Sequence, residues 1–207
     1  MHEITRNLER MREKVGPAAT LHVFIMGRHF PIAGSKENMA ISSFGITIAR
    51  SDSRRVKSVS GASDSLNSTH YRAKLAALLT ALEWMSLNCH PETKKIVNTP
   101  DEAIWRHLPG NLKKWVADPK HVDHDLYEKI ERAFAGVPNV SFQEITTDHP
   151  MYEKAHKLAD DAVARRLKLP PKAREDEPSD LEESDFEESD LEGDARMAFE
   201  RALEKDC

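Results

Sequence analysis

The chain has 207 residues with a formal net charge of −5, and 31% of them are charged while only 6% are aromatic. Such a chain suits one domain of about 150 residues followed by a tail. No apolar run approaches the ~18 residues that a membrane-spanning helix needs, and the polar first residues lack the apolar segment of a secretory signal. Two distant cysteines, Cys89 and Cys207, argue against a structural disulfide. We therefore expect an intracellular protein, cytoplasmic or nuclear, without a membrane partner.

The charge is distributed unevenly along the chain. Residues 171–207 carry 15 acidic and 5 basic side chains, a net charge of −10. Residues 1–170 therefore carry the remaining 20 acidic and 25 basic side chains, a net charge of +5. A mildly basic body with a strongly acidic tail indicates an interaction tail or a body that faces nucleic acid.

The hydrophobic pattern predicts an α/β domain over residues 19–169, between a polar extension at 1–18 and an acidic tail at 170–207. In chain order it predicts strands at 21–26, 41–50 and 54–61, a loop at 61–68, a helix at 69–87, a strand at 94–98, a helix from Pro100 that breaks at 108–110, a helix at 123–134, a strand at 140–145 and a helix at 149–167.

The helix at 69–87 has the clearest pattern. Its apolar residues recur with a helical spacing and form one stripe: Leu75, Leu78, Leu79, Leu82 and Met85. Ser68 or Thr69 can cap its amino terminus.

The acidic tail contains three near copies of a five-residue unit, which begin at Ser179, Ser184 and Ser189. A period of five matches neither a helix face nor a strand face, and the dense negative charge predicts disorder. Each serine precedes an acidic residue at the third following position, a pattern that acidophilic Ser/Thr kinases prefer. The three serines are therefore phosphorylation candidates; the alternative is an unmodified, solubilising tail. Such a tail could also fold back on the basic body and compete with nucleic acid.

Three stretches resemble type 1 ribonuclease H: residues 69–82, 101–134 and 149–159. The resemblance implies a mixed five-stranded sheet flanked by helices over residues 20–168. It also implies the activity of the family, which cleaves the RNA strand of an RNA–DNA hybrid with two magnesium ions held by carboxylates.

The four carboxylate positions of that family fall on residues without a carboxylate: Met26, Lys74, Pro100 and His156. A thioether is a poor ligand for magnesium, and an ammonium group repels it. We therefore expect no catalytic residue, no metal and no cofactor. Asp101 follows Pro100 directly, which leaves open a shifted ligand and a residual magnesium-dependent ribonuclease H.

A different metal at His156 is a further alternative. Asp148, His149 and Asp160 are the other ligands that such a site could use. The sequence contains neither Cys-x-x-Cys nor His-Glu-x-x-His, so no zinc motif supports this alternative.

The resemblance also indicates where nucleic acid would bind. The basic protrusion of the family maps to about 105–121, and polar residues at the start of the long helix touch the hybrid. The candidate nucleic-acid-binding residues are Asn67, Thr69, His70, Lys74, Arg106, Lys113, Lys114 and Trp115. The alternatives are that Trp115 is core packing, that the lysines are a solvated face, and that the helix-start residues form only a loop and a cap.

Two further hypotheses concern the pocket and the whole chain. Lys74 and His156 could hold a phosphate where the metals would lie. The alternative is that they only restore packing in the core after loss of the carboxylates. The main interpretation of the sequence is a catalytically inactive ribonuclease H-like module that binds an RNA–DNA hybrid or double-stranded RNA backbone without cleavage. The alternatives are a protein-interaction scaffold that acts through the domain face and the acidic tail, and the residual nuclease.

Overall fold

The computed structural model describes residues 19–32, 39–66, 69–168 and 182–186. The extension at 1–18 and most of the acidic tail lie outside these ranges. The described strands are β1 (Thr20–Pro31), β2 (Met39–Arg50), β3 (Val56–Leu66), β4 (Lys94–Thr99), β5 (Val140–Glu144) and β6 (Glu182–Phe186). The described helices are α1 (His70–Asn88), α2 (Leu108–Val116), α3 (His124–Ala135) and α4 (Pro150–Lys168), and a π-helical turn, Ala103–His107, precedes α2.

The strands form one mixed sheet in the order β5-β4-β1-β2-β3-β6. Strands β1, β2 and β3 form an antiparallel meander. Strand β4 lies parallel to β1, and β5 lies parallel to β4. The predicted mixed sheet of five strands flanked by helices is confirmed for β1 to β5.

Helices cover both faces of the sheet. Helix α1 lies on β1 and β2 and contacts α3, whereas α4 lies across β1, β2 and β3. The predicted apolar stripe of α1 forms the centre of the larger core, in which Leu75, Leu78, Leu82 and Met85 are fully buried and Leu79 is partly buried. Burial of each such side chain contributes about 1.5–3 kcal/mol, so this face dominates the stability of the helix.

The predicted cap of α1 is also confirmed. The Thr69 hydroxyl accepts a hydrogen bond from the Arg72 backbone N–H at 3.1 Å, which satisfies one of the unpaired donors at the start of the helix. No helix in the described ranges is both long and apolar enough to cross a membrane.

The predicted break at residues 108–110 is wrong. The Leu108 N–H donates to the Ala103 carbonyl across the π-helical turn, and the chain continues directly into α2. Pro109 then lies in the first turn of α2, a position at which proline is tolerated. The helical path therefore continues past a Pro-Gly pair that normally ends one.

The predicted loop at 61–68 is also wrong for residues 61–66. These residues extend β3 and pair with residues 39–44 of β2. The sequence of this stretch carries no strand pattern, but its residues pair with the first half of β2.

The sequence predicts a disordered tail, most of which lies outside the described residues; within it, Glu182–Phe186 pair antiparallel with residues 56–60 of β3. An edge strand presents unpaired N–H and C=O groups, and any extended segment that reaches it can pair with them. The charge density that predicted disorder does not oppose this backbone pairing.

Candidate functional site

The four positions that the sequence singled out lie where β1, the end of β4, α1 and α4 converge. Phe24 of β1 pairs with Asn98 of β4, so Met26 and Pro100 each lie two residues further along parallel strands. Lys74 belongs to α1 and His156 belongs to α4. We call this place the pocket and define it by Met26, Lys74, Asp101 and Tyr152.

Two glycines bring the helices onto the sheet beside the pocket. A Cβ added to Gly27 of β1 would lie 2.3 Å from the Lys74 backbone nitrogen in α1. A Cβ added to Gly45 of β2 would lie 1.9 Å from the Ala155 carbonyl oxygen in α4. Both distances are far below contact, so only glycine permits these approaches.

Inside the pocket, the Lys74 ammonium group donates to the Asp101 carboxylate. The second carboxylate oxygen of Asp101 accepts from the Ala103 N–H at 3.0 Å. The Asp101 N–H in turn donates to the Thr99 hydroxyl at 3.2 Å. The side chains of Lys74 and Asp101 are 31% and 15% exposed, so the pair is partly shielded from water. The positive charge that Lys74 brings into the pocket is therefore neutralised by its neighbour.

The Met26 side chain contacts Tyr152 of α4. The Tyr152 hydroxyl lies 3.0 Å from the Met26 sulfur, and both residues are buried. Burial raises the pKa of Tyr152, and the charge of Asp101 raises it further while Arg28 opposes the shift. The phenol therefore stays protonated at neutral pH and donates to the thioether.

His156 lies beside Asp160 on α4, and Asp160 also has Arg28 of β1 as a neighbour. Its Nδ1 lies 3.1 Å from the Asp160 carboxylate, one turn later on α4. The same carboxylate lies 3.1 Å from Arg28 Nε, without the alignment of a hydrogen bond. These side chains are between 31% and 40% exposed, so the cluster contributes little to stability. Asp160 thus balances the charge of Arg28. It also balances the charge of the His156 ring whenever that ring is protonated.

The sequence matches no protein-family model, and no curated protein sequence matches it. Solved structures do resemble it. LC9-RNase H1, a type 1 RNase H with the type 2 active-site motif, matches with a TM-score of 0.53 at 15% identity, over 89% of this chain and 87% of that one. LC11-RNase H1 in complex with an RNA/DNA hybrid matches with a TM-score of 0.53 at 19% identity, over 72% of this chain and all of the other.

The chain has a ribonuclease H fold. The resemblance that the sequence indicated is thereby confirmed at the level of the fold. The prototype foamy virus protease–reverse transcriptase also matches, with a TM-score of 0.55 at 15% identity over 72% of this chain. The present chain spans 21% of that protein.

On this ribonuclease H fold, the residues of the pocket do not fit magnesium. Magnesium needs several oxygen ligands at about 2.1 Å in an octahedral arrangement. Asp101 is the single carboxylate of the pocket, and both of its oxygens already have protein partners. No group of three or more His, Cys, Asp or Glu side chains in the described part of the chain is placed to hold a metal ion.

The alternative metal set around His156 does not assemble either. The His149 ring stacks on Phe24 with centroids 4.7 Å apart. Its Nδ1 accepts from the Met151 N–H at 3.2 Å, so His149 caps the start of α4. Asp148 lies at the surface, where a hydrogen bond from Thr146 lowers its pKa. Only Asp160 of the proposed ligands contacts His156.

The candidate nucleic-acid-binding residues fall into two groups. Arg106, Lys113 and Lys114 are exposed on the π-helical turn and α2, and Arg106 pairs with Glu102 at 2.7 Å. Trp115 is partly buried, with its ring 4.9 Å from that of Tyr127, which favours the packing alternative over a stacking platform.

The remaining candidates lie at the start of α1. Thr69 is the cap of the helix, and His70 meets His29 edge-on at 5.3 Å. Asn67 lies outside the described residues. Both described residues thus have a structural role that needs no ligand.

Two residues at or beside the pocket, Arg28 and Tyr152, were not among the predicted site residues. Their spacing in the sequence from Met26 and His156 would have indicated both residues. Arg28 is two residues after Met26, so it shares a face of β1, and Tyr152 is four residues before His156, so it shares a face of α4. Once the pocket positions were assigned, these periodicities would have pointed to both.

Proposed function

We propose that the chain is a nucleic-acid-binding module with a ribonuclease H fold that does not cleave its ligand. The proposed ligand is an RNA–DNA hybrid or the backbone of double-stranded RNA. The ion pair between Lys74 and Asp101 is the observation that carries the proposal. The sequence predicts the metal positions of the family here, and a protein cation paired with the nearby carboxylate supports binding without cleavage.

The same pair argues against a residual nuclease with shifted ligands. A metal at Asp101 would have to displace the Lys74 ammonium group or the Ala103 N–H from the carboxylate. The neighbouring Met26 and Pro100 would supply no further oxygen ligand from their side chains. One carboxylate does not hold two metal ions.

The proposed binding of nucleic acid uses a surface outside the pocket, the exposed face of α2. Structures of similar folds contain RNA/DNA hybrids: LC11-RNase H1 and the foamy viral protease–reverse transcriptase. In this chain Lys113 and Lys114 are exposed on α2, which follows Asp101 of the pocket and the π-helical turn in the sequence. Exposed lysines can contact phosphates of a duplex without reading its sequence. The hypothesis that Lys74 and His156 hold a phosphate gains no support, because both have acidic partners.

The test is a paired binding and cleavage measurement with the full chain. A fluorescent RNA–DNA hybrid is titrated at several salt concentrations, and the same hybrid is incubated with Mg²⁺ or Mn²⁺. We expect binding that weakens steeply as salt increases, with no cleavage. Metal-dependent cleavage that Asp101→Asn abolishes would instead establish the residual nuclease.

A matched pair of variants assigns the surface. Lys113→Glu should weaken binding several-fold and reduce the salt dependence, because one phosphate contact is lost. Lys94→Glu makes the same charge change at the opposite end of β4, where Lys94 is also exposed, and should leave binding unchanged. Equal effects of both substitutions would show that only net charge matters. Absence of hybrid binding at low salt would favour the protein-interaction scaffold.

A further inference from the structure

Two histidines from different elements meet where the end of β1 passes the start of α1. His29 lies near the end of β1, and His70 is the first residue of α1. The centroids of their rings are 5.3 Å apart, and the ring planes are inclined at 68°. Neither residue belongs to the pocket, so the pair is a separate feature of the fold.

The main chain determines the separation of the two histidines. Residues 27 and 29 share a face of β1, and residues 70 and 74 share a face of α1. The close approach of Gly27 to the Lys74 backbone fixes the distance between strand and helix at one point. From there, two residues advance about 6.6 Å along a strand, and four residues advance about 6.0 Å along a helix. The next pair along the same line is therefore His29 with His70.

The contact between the rings leaves one polar atom of His29 unsatisfied. Its Nδ1 is buried and has no hydrogen-bond partner among the residues that the structure describes. A bound ion or water molecule can satisfy such an atom. Burial lowers the pKa of His29 from its ordinary value, and the neighbouring His70 lowers it further. The His29 ring is therefore neutral at neutral pH, the form that binds a metal ion.

The distance between the rings suits one shared metal ion. Two imidazole rings that bind one tetrahedral ion through nitrogens at about 2.0–2.1 Å have their centroids about 5 Å apart. The observed 5.3 Å is close to this value. His70 is exposed, so its ring can rotate about the side-chain bonds until a nitrogen is directed toward His29. Binding of an ion thus requires rotation of side chains and little movement of the main chain.

The charges around the pair permit a cation. Arg72 and Lys74, the basic residues that follow His70 in α1, are both paired with carboxylates. Arg28, the neighbour of His29 in β1, lies on the opposite face of the strand. The amino terminus of α1 disfavours a cation, but salt screens this effect.

We propose that His29 and His70 form a binding site for Zn²⁺, which fastens the start of α1 to the end of β1. Imidazole suits Zn²⁺, whereas Mg²⁺ requires oxygen ligands. Two protein ligands leave two positions of a tetrahedral ion for water or for a ligand from solution. The site lies outside the pocket and does not depend on nucleic-acid binding.

The test is a titration of the full chain with Zn²⁺, followed by the NMR signals of the histidine rings. The ring signals of His29 and His70 should shift together along one saturation curve. Zn²⁺ should also raise the melting temperature, because an ion that binds the folded state stabilises it. Mg²⁺ at the same concentration should change neither observable. Separate saturation curves for the two rings, or equal effects of Mg²⁺, would overturn the proposal.

Matched glutamine variants assign the ligands. His29→Gln and His70→Gln should each weaken Zn²⁺ binding at least tenfold, because one imidazole alone remains. His107→Gln removes an exposed histidine of the π-helical turn and should leave the affinity unchanged. Because His70 is exposed, its variant keeps the fold and the test stays decisive even where His29→Gln unfolds the protein. Unchanged Zn²⁺ affinity in His70→Gln would show that the ion binds elsewhere and would refute the site.

Discussion

Lys74 of α1 and Asp101, just beyond β4, form an ion pair that joins two elements separated by 27 positions in the sequence. The pair lies beside a buried thioether and a tyrosine hydroxyl, which close the rest of the pocket. Breaking a shielded pair by removal of one partner costs more than the pair itself contributes, since the other charge remains without compensation. The pocket is therefore sensitive to the charge at either position.

Lys74→Glu should lower the melting temperature in the absence of divalent ions. The substitution sets a second carboxylate beside Asp101, and we expect a loss of about 2 kcal/mol, a value reduced because Lys74 is partly exposed. Added Mg²⁺ should recover part of that loss, because two neighbouring carboxylates attract the ion. Thermal unfolding with and without Mg²⁺ measures both effects.

Lys74→Met is the matched control. It removes the charge but keeps the length of the side chain, so we expect a loss of about 1 kcal/mol that Mg²⁺ does not recover. Equal recovery in both variants would show that the ion binds elsewhere on the protein.

Gly27→Ala and Gly45→Ala should each destabilise the fold by about 3 kcal/mol or more. The added methyl groups would overlap backbone atoms of α1 and α4, which move only together with their helices. Gly110→Ala supplies the contrast, because a Cβ there meets no atom within 4 Å and the residue lies in α2. This variant should gain about 0.5–1 kcal/mol. Urea unfolding of the three variants checks the signs, and a stable Gly27→Ala protein would contradict the close approach.

The stability of the domain should fall as the pH decreases below about 6.5. Burial lowers the pKa of His149 from its ordinary 6.5, with partial opposition from Asp148. Below 6.5 the unfolded chain binds a proton that the folded chain resists, so protonation favours unfolding. His29 shifts in the same direction, first through burial and then through His70.

His149→Asn isolates the contribution of His149 to this dependence. Asparagine can still accept the Met151 N–H at the start of α4, but it does not titrate. The difference in unfolding free energy between pH 7.5 and pH 5.5 should therefore shrink, while the contribution of His29 remains. An unchanged difference would place the pH dependence elsewhere.

Lys95→Met should destabilise the protein by about 3 kcal/mol. The Lys95 ammonium group is buried, and its three N–H donors are shared among four carbonyl oxygens at 2.9–3.2 Å, those of His90, Pro91, Thr93 and Pro138. These contacts join the loop before β4 to the loop before β5. Methionine fills the volume but leaves the carbonyls without a donor. Chemical denaturation measures the loss, and a change below 0.5 kcal/mol, on the order of a surface substitution, would contradict the structural role.

Local patterns in the sequence were sufficient for the elements with strong periodicity. The stripe from Leu75 to Met85 predicted α1 and its buried face because apolar residues at a helical spacing have one favourable arrangement. The positions of Met26, Lys74, Pro100 and His156 followed from the resemblance, and the structure brings their elements together.

The partners of those residues could not be predicted in the same way. Lys74 meets Asp101 only because the end of β4 lies beside α1, and nothing local indicates this neighbour. The continuation of the helix past Pro109 depends on a π-helical turn. In this turn the N–H donates to the carbonyl five residues back instead of four, and no sequence pattern marks the change. The pairing of Glu182–Phe186 with β3 also has no sequence signal, because backbone pairing leaves little trace in side-chain composition.

The close approaches at Gly27 and Gly45 make the spacing of sheet and helices independent of the side chains in the pocket. The two glycines belong to adjacent rungs of the β1–β2 ladder, since Met26 pairs with Gly45 and Gly27 pairs with Phe44. They set the distances of α1 and α4 from opposite faces of the sheet through main-chain contact alone. Side chains in the pocket can thus be exchanged while the distances between the sheet and the two helices persist. By the same reasoning, carboxylates could be introduced at these positions by substitution of side chains only.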